Sequence, residues 1–146
     1  MDAHIILSDA AQKDASGKVG LLGAGWTITG PKVPPMAVTV FLRIGWEEAS
    51  RLRRWMLRLL DDQDKVVSAP DDPERRVEFD GHLGLNEASD VVLEEEANLV
   101  DLATSLAIQV QTPQLEGGRR YRWVFDVEGE ELASIAFVVR KDKAGV

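Results

Sequence analysis

The strongest constraint on the fold lies in residues 115–139, Leu-Glu-Gly-Gly-Arg-Arg-Tyr-Arg-Trp-Val-Phe-Asp-Val-Glu-Gly-Glu-Glu-Leu-Ala-Ser-Ile-Ala-Phe-Val-Val. Tyr121, Trp123, Phe125 and Val127 share one parity. Arg122, Asp126 and Glu128 share the other, with Val124 the apolar exception. A period of two is that of a strand with one face buried. Glu128-Gly129-Glu130 supplies a turn, and beyond it Ile135, Phe137 and Val139 fall on one face. Two alternating runs about a glycine-containing turn predict a β-hairpin.

Earlier segments read the same way. Residues 3–8 predict an opening strand, and Asp14, Ser16 and Gly17 a turn. Residues 19–29 carry Gly20, Gly23 and Gly25, too many glycines for a helix, and predict a strand with bulges or close backbone approach in which Trp26 and Ile28 share a face. The run Gly20-Leu-Leu-Gly-Ala-Gly reverses the spacing of the dinucleotide fingerprint, and no helical pattern follows it, so it is read as backbone geometry. Pro31, Pro34 and Pro35 make a stiff connection. In residues 36–44, Met36, Val38, Val40, Leu42 and Ile44 alternate with Ala37, Thr39, Phe41 and Arg43, a strand. Residues 45–60 fit two patterns. Trp46, Ala49, Leu52, Met56 and Leu59 form a helical stripe, whereas Trp55, Leu57 and Leu59 alternate. Residues 75–79 predict a short strand, and 105–111 another. A helix over 93–106 is a second reading of that region.

The chain is similar to a family of small bacterial proteins of uncharacterised function, found mostly in actinobacteria. The residues that carry the similarity are Ile6-Leu7-Ser8-Asp9-Ala10-Ala11-Gln12, Gly17-Lys18, Leu22-Gly23-Ala24-Gly25-Trp26, Pro35-Met36-Ala37-Val38, Trp46-Glu47-Glu48-Ala49-Ser50, Leu57-Arg58-Leu59-Leu60-Asp61-Asp62 and Gly118-Arg119-Arg120-Tyr121-Arg122-Trp123. None is a catalytic motif. The resemblance implies a short helical link over 46–51 followed by a strand over 52–60. Seven or eight strands without β-α alternation then predict a single domain over residues 1–146. Its expected fold is an antiparallel two-sheet sandwich of immunoglobulin-like type, with one helical link and at most a second helix. Leu115-x-x-Gly118-x-x-Tyr121 fits a tyrosine corner, in which the Tyr121 hydroxyl bonds backbone a few residues upstream. The hairpin's aromatic face, with Trp123, is expected to pack against Trp26, Val38, Val40 and Trp55.

Composition narrows function. The chain has no cysteine, which removes thiol redox, thiolate metal sites and a cysteine nucleophile. Its net charge of −8 is concentrated in residues 61–101, with fourteen acidic and three basic side chains. Nucleic acid is therefore not an expected partner. The N-terminus lacks the basic and apolar regions of a signal peptide, and no apolar run approaches the length of a membrane span. A cytoplasmic protein is expected, or a virion component if a phage encodes it, with no cofactor and no membrane contact.

Three sets of residues are candidates for function. Arg43, Arg54 and Arg58 with Phe41 and Met56 read as an outward face of adjacent strands, the composition of a protein interface. That predicts a non-enzymatic protein working through contacts with itself or an assembly partner, such as a shell or virion decoration. Asp61, Asp62, Asp64, Asp71 and Asp72 in two loops offer the oxygen ligands a calcium site would need. His82, expected in a loop beside Asp80, is the remaining candidate for hydrolytic chemistry, though no nucleophile motif accompanies it. Glu94-Glu95-Glu96 reads as a solvated face.

Overall fold

The structure, a computed structural model, describes residues 1–84 and 95–143. Among the described residues there are ten strands: β1 (Asp2–Ser8), β2 (Ala10–Lys13), β3 (Val19–Leu22), β4 (Ile28–Thr29), β5 (Met36–Ile44), β6 (Arg53–Leu60), β7 (Glu78–Leu83), β8 (Leu102–Val110), β9 (Arg120–Val127) and β10 (Glu130–Val139). One sheet has the order β1-β5-β8 and the other β4-β10-β9-β6-β7. All pairings are antiparallel except that of β4 with β10. Without β2, β3 and β4, the seven remaining strands follow the Greek-key connectivity of an immunoglobulin-like sandwich, the fourth strand lying on the larger sheet.

Alternation decides which side chains meet between the sheets. Met36, Val38, Val40, Leu42 and Ile44 of β5 face Leu57 and Leu59 of β6 and Tyr121, Trp123 and Phe125 of β9, in one continuous core. Four aromatic pairs knit it together. Trp26 meets Phe137 edge-on at 5.8 Å, and Tyr121 stacks on Phe137 at 5.9 Å. Trp55 lies 6.1 Å from Phe125, and Phe79 6.5 Å from Trp123. The hairpin of 115–139 forms as its pattern predicts. Glu128 and Gly129 take φ of 52° and 84°, the paired positive values of a type I′ turn. The tyrosine corner closes as well: the Glu116 backbone N–H donates to the Tyr121 hydroxyl at 2.9 Å.

The short helical link at 46–51 is one 3-10 turn, Glu48–Ser50, and β6 follows it, both as the resemblance implied. Other expectations need correction. The second helix is a single 3-10 turn, Glu95–Leu99, and β8 starts earlier than residue 105. The rest of that helical reading, at 93–94, lies outside the described residues. The strand placed at 75–79 is instead β7, Glu78–Leu83, so His82 lies on a strand and not in a loop. Trp26 and Ile28 do not share a buried face: Trp26 packs on the core while Ile28 is exposed, because β4 begins only at Ile28 and Trp26 lies before it, outside any strand.

One layer was not read from the sequence. β2 and β3 form a hairpin that lies over the outer face of the smaller sheet, against β5 and β8. Beneath it Ala37 and Thr39 are fully buried although they point away from the core. Small side chains at these positions let the hairpin approach.

Candidate functional site

The five residues expected to form one patch are divided between the two sheets. Phe41 and Arg43 lie on β5, while Arg54, Met56 and Arg58 lie on β6. Every one of them points outward, as alternation requires, but the strands belong to opposite sheets. The patch on adjacent strands therefore does not exist: β5 crosses to the second sheet through residues 45–52 instead of turning back beside β6.

On the larger sheet the outward charges pair with one another. Arg54 bonds Asp80 at 3.0 Å, and Arg58 bonds the buried Asp126 at 2.9 Å. Arg122 reaches Asp64 at 3.1 Å and Glu131 at 3.6 Å. Cross-strand pairs of opposite charge suit a sheet face turned to solvent.

The aspartates considered for calcium are engaged too. Asp61 Oδ1 accepts the backbone N–H groups of Gln63 and Lys65 at 2.9 and 3.0 Å, closing the turn after β6. Asp62 takes two hydrogen bonds from the Arg119 guanidinium, which holds its carboxyl below the usual aspartate range and raises the already high guanidinium pKa. Asp71 pairs with Arg75, and Asp72 accepts the Glu74 N–H. Among the described residues no three His, Asp or Glu side chains gather as a metal would require. His82 and Asp80 share the outer face of β7, opposite Arg54 and Met56. His82 has no hydrogen-bond partner among the described residues and Asp80 is held by Arg54, so they are not arranged as base and orienting acid. Of the Glu94-Glu95-Glu96 run, only Glu96 has a described side chain, and it is exposed.

A different feature stands out: the four sheet edges are not treated alike. Edge strands are normally kept from pairing with other chains by charge, proline, bulges or brevity. β4 is two residues long and runs into the cis Gly30-Pro31 bond. β7 presents Glu78, Asp80 and His82. β1 carries Asp2 and His4, and its Leu7 C=O accepts the Gly25 N–H at 2.9 Å. β8, Leu-Ala-Thr-Ser-Leu-Ala-Ile-Gln-Val, has no charge and no proline, and its nine pairs with β5 run without a bulge. Among the described residues no strand pairs with its outer edge.

The direction of the free groups follows from the ladder. Leu7 C=O points to Gly25, away from β5, so Leu7 and Val38 are a non-hydrogen-bonded pair. Alternation then turns Ala37, Thr39 and Phe41 of β5 toward β1, and Val38, Val40 and Leu42 toward Ile108, Leu106 and Thr104 of β8. Ala103, Ser105, Ala107 and Gln109 are left with N–H and C=O groups directed outward. Ser105 agrees with this: its C=O accepts from Lys13 Nζ at 3.0 Å, an ammonium that reaches over from the β2–β3 hairpin. The same edge leaves Leu102, Leu106 and Ile108 partly exposed, whereas their partners on β5 are buried. Beside the far end of β8 lies a cleft of about 560 Å³ lined by Val77, Phe79, Val110, Arg75, Arg76 and Gln109 among others.

The sequence pattern of one protein family runs through residues 3–140, from the second residue of β1 to just past β10. The chain belongs to the family of unknown function DUF6941. No curated protein and no solved structure matches it. In this DUF6941 protein the match spans the whole sandwich, including β8 and the hairpin that carries Lys13. No helix among its described residues is long and apolar enough to cross a membrane.

Proposed function

We propose that this DUF6941 protein is a non-enzymatic module that acts by protein–protein contact, as an accessory part of a larger assembly, and that the open side along β8 is its contact surface. One observation carries the reading: β8 is a long, regular and uncharged edge strand whose apolar side chains stay partly exposed, which is the form of edge that pairs with another chain. The pairing of Arg54, Arg58 and Arg122 and of the loop aspartates supports it from the other side, since those groups already have partners within the chain. The assembly belongs in the cytoplasm on this reading, or on a virion or shell if a phage encodes the chain.

Light scattering and tagged co-purification from the source cell, run on the native chain and on Ala107→Pro, test the reading. Proline there removes an outward N–H and no ladder hydrogen bond. The native chain is expected to run as part of a complex that the variant does not form. A native chain that is monomeric and carries no partner overturns the proposal, and so does a complex that survives the proline.

A further inference from the structure

The β2–β3 hairpin and β8 carry a more specific inference, which rests on the protein-contact reading above. We infer that the β8 edge receives an extended segment of another protein as an added strand, and that this segment carries a carboxylate that takes over Lys13 as it displaces Lys13 from the Ser105 carbonyl.

The spacing of the outward groups selects an extended chain. Ala103, Ser105, Ala107 and Gln109 repeat every second residue, roughly 7 Å apart along a strand. Only another strand presents donors and acceptors at that repeat. Side chains of the added strand alternate as those of β8 do. One set lies over Leu106 and Ile108, half-buried at the open side, and calls for apolar residues. The other set lies on the hairpin side, where Lys13 sits.

Lys13 decides the charge. Its ammonium occupies the outward acceptor of Ser105, near the middle of β8. The stem passes the turn at residues 14–17, where Lys13 Cε lies 3.8 Å from the position a Gly17 side chain would take. That turn is fixed by Asp14 Oδ1, which accepts from Ser16 N–H at 2.8 Å, Ser16 Oγ at 2.6 Å and Lys18 N–H at 2.9 Å. The hairpin therefore holds a charge over an edge strand that has none of its own. When a strand is added, its N–H takes the Ser105 C=O and the ammonium must find another acceptor. A carboxylate on the incoming segment supplies a charge-assisted bond in place of the neutral one. A lysine or arginine at the same position meets like charge.

The same charge argues against a second copy of the chain. An antiparallel β8–β8 pair centred on Leu106 sets Ser105 opposite Ala107 of the other copy, so both Lys13 ammonium groups arrive at the same few residues. β8 has no carboxylate to receive either.

The test uses two fluorescein-labelled nine-residue peptides of alternating valine and threonine, capped at both ends. One has a central glutamate on the threonine parity and the other a central lysine. Fluorescence anisotropy is measured with the full chain. The glutamate peptide is expected to bind roughly tenfold more tightly than the lysine peptide, and Lys13→Glu to reverse the order. Lys13 is exposed, so this variant reports charge recognition without loss of fold, confirmed by its melting temperature. An order unchanged in Lys13→Glu overturns the inference, as does binding of neither peptide. Light scattering separates the two levels. A native dimer that Ala107→Pro dissociates makes the second copy the occupant, which overturns the inference and leaves the protein-contact reading standing. A native monomer that binds neither peptide and co-purifies with nothing overturns both.

Discussion

Replacing Tyr121 by phenylalanine isolates one hydrogen bond of the fold. The side chain is 3% exposed, and its hydroxyl accepts the Glu116 N–H at 2.9 Å across the corner that leads from β8 into β9. Phenylalanine keeps the ring, so the stack on Phe137 at 5.9 Å and the Arg119 guanidinium 5.8 Å above the ring centre are retained. What is lost is a neutral bond and the partner of one N–H. From the sequence alone the cost of an unpartnered buried hydroxyl would be about 1–3 kcal/mol. The structure lowers this, because Glu116 is exposed and water can take its N–H. A net bond is worth about 0.5–1.5 kcal/mol, which for a domain of this size lowers the melting temperature by about 2–4 °C per kcal/mol. Urea unfolding followed by tryptophan fluorescence, with an unchanged slope, measures it. A loss of more than about 3 kcal/mol would refute the reasoning, because the N–H would then have to be shielded from water. No loss at all would mean that the corner contributes nothing.

Other perturbations follow from the same geometry. Leu57→Ala removes a fully buried side chain in the middle of β6 and should cost about 2–5 kcal/mol in the same assay; a loss under 1 kcal/mol would contradict its place in the core. Asp126→Asn leaves Arg58 without its charged partner. Arg58 is partly exposed, with side-chain exposures of 36% for it and 8% for Asp126, so the loss should be about 1–2 kcal/mol, between surface and buried pairs. Asp62 and Asp14 titrate below the usual aspartate range. For Asp62 the cause is the Arg119 hydrogen bond, and for Asp14 the bonds from Ser16 and Lys18. A lowered folded-state pKa contributes stability that is complete above the unfolded value near about 3.9 and is lost as pH falls through the folded one. Urea midpoints measured from about pH 5 down to pH 2 should fall less steeply in Asp62→Asn than in the native chain; identical slopes would contradict the assignment.

Side-chain parity was legible almost everywhere, and strand pairing was not. Met36 to Ile44 and Tyr121 to Val139 alternate so clearly that the core follows from them. Phe41, Arg43, Arg54, Met56 and Arg58 point outward as their parity predicts, but period-two patterning does not say which sheet a strand joins, and the single face expected of them is divided between two sheets. The strand expected at 75–79 stops short of Gly81, whereas β7 runs through it. In the structure Gly81 is there for Trp55, whose indole lies 2.8 Å from where a Gly81 Cβ would stand, so the glycine makes room within a strand. The β2–β3 hairpin had one signal, the small uncharged residues Ala37, Thr39, Ser105 and Ala107 on the outward side of two paired strands. The free edge had another: residues 102–110 hold no charge in a chain where 29% of residues are charged.

Amide-resolved hydrogen exchange along β8 in the isolated protein tests the central claim most directly. With the edge open, the N–H groups of Ala103, Ser105, Ala107 and Gln109 exchange fast, while those of Thr104, Leu106 and Ile108, bonded to β5, exchange slowly. Alternating protection is the predicted result. Uniform slow exchange along β8 would show that the edge is already covered, and the account of it as a docking strand would be wrong.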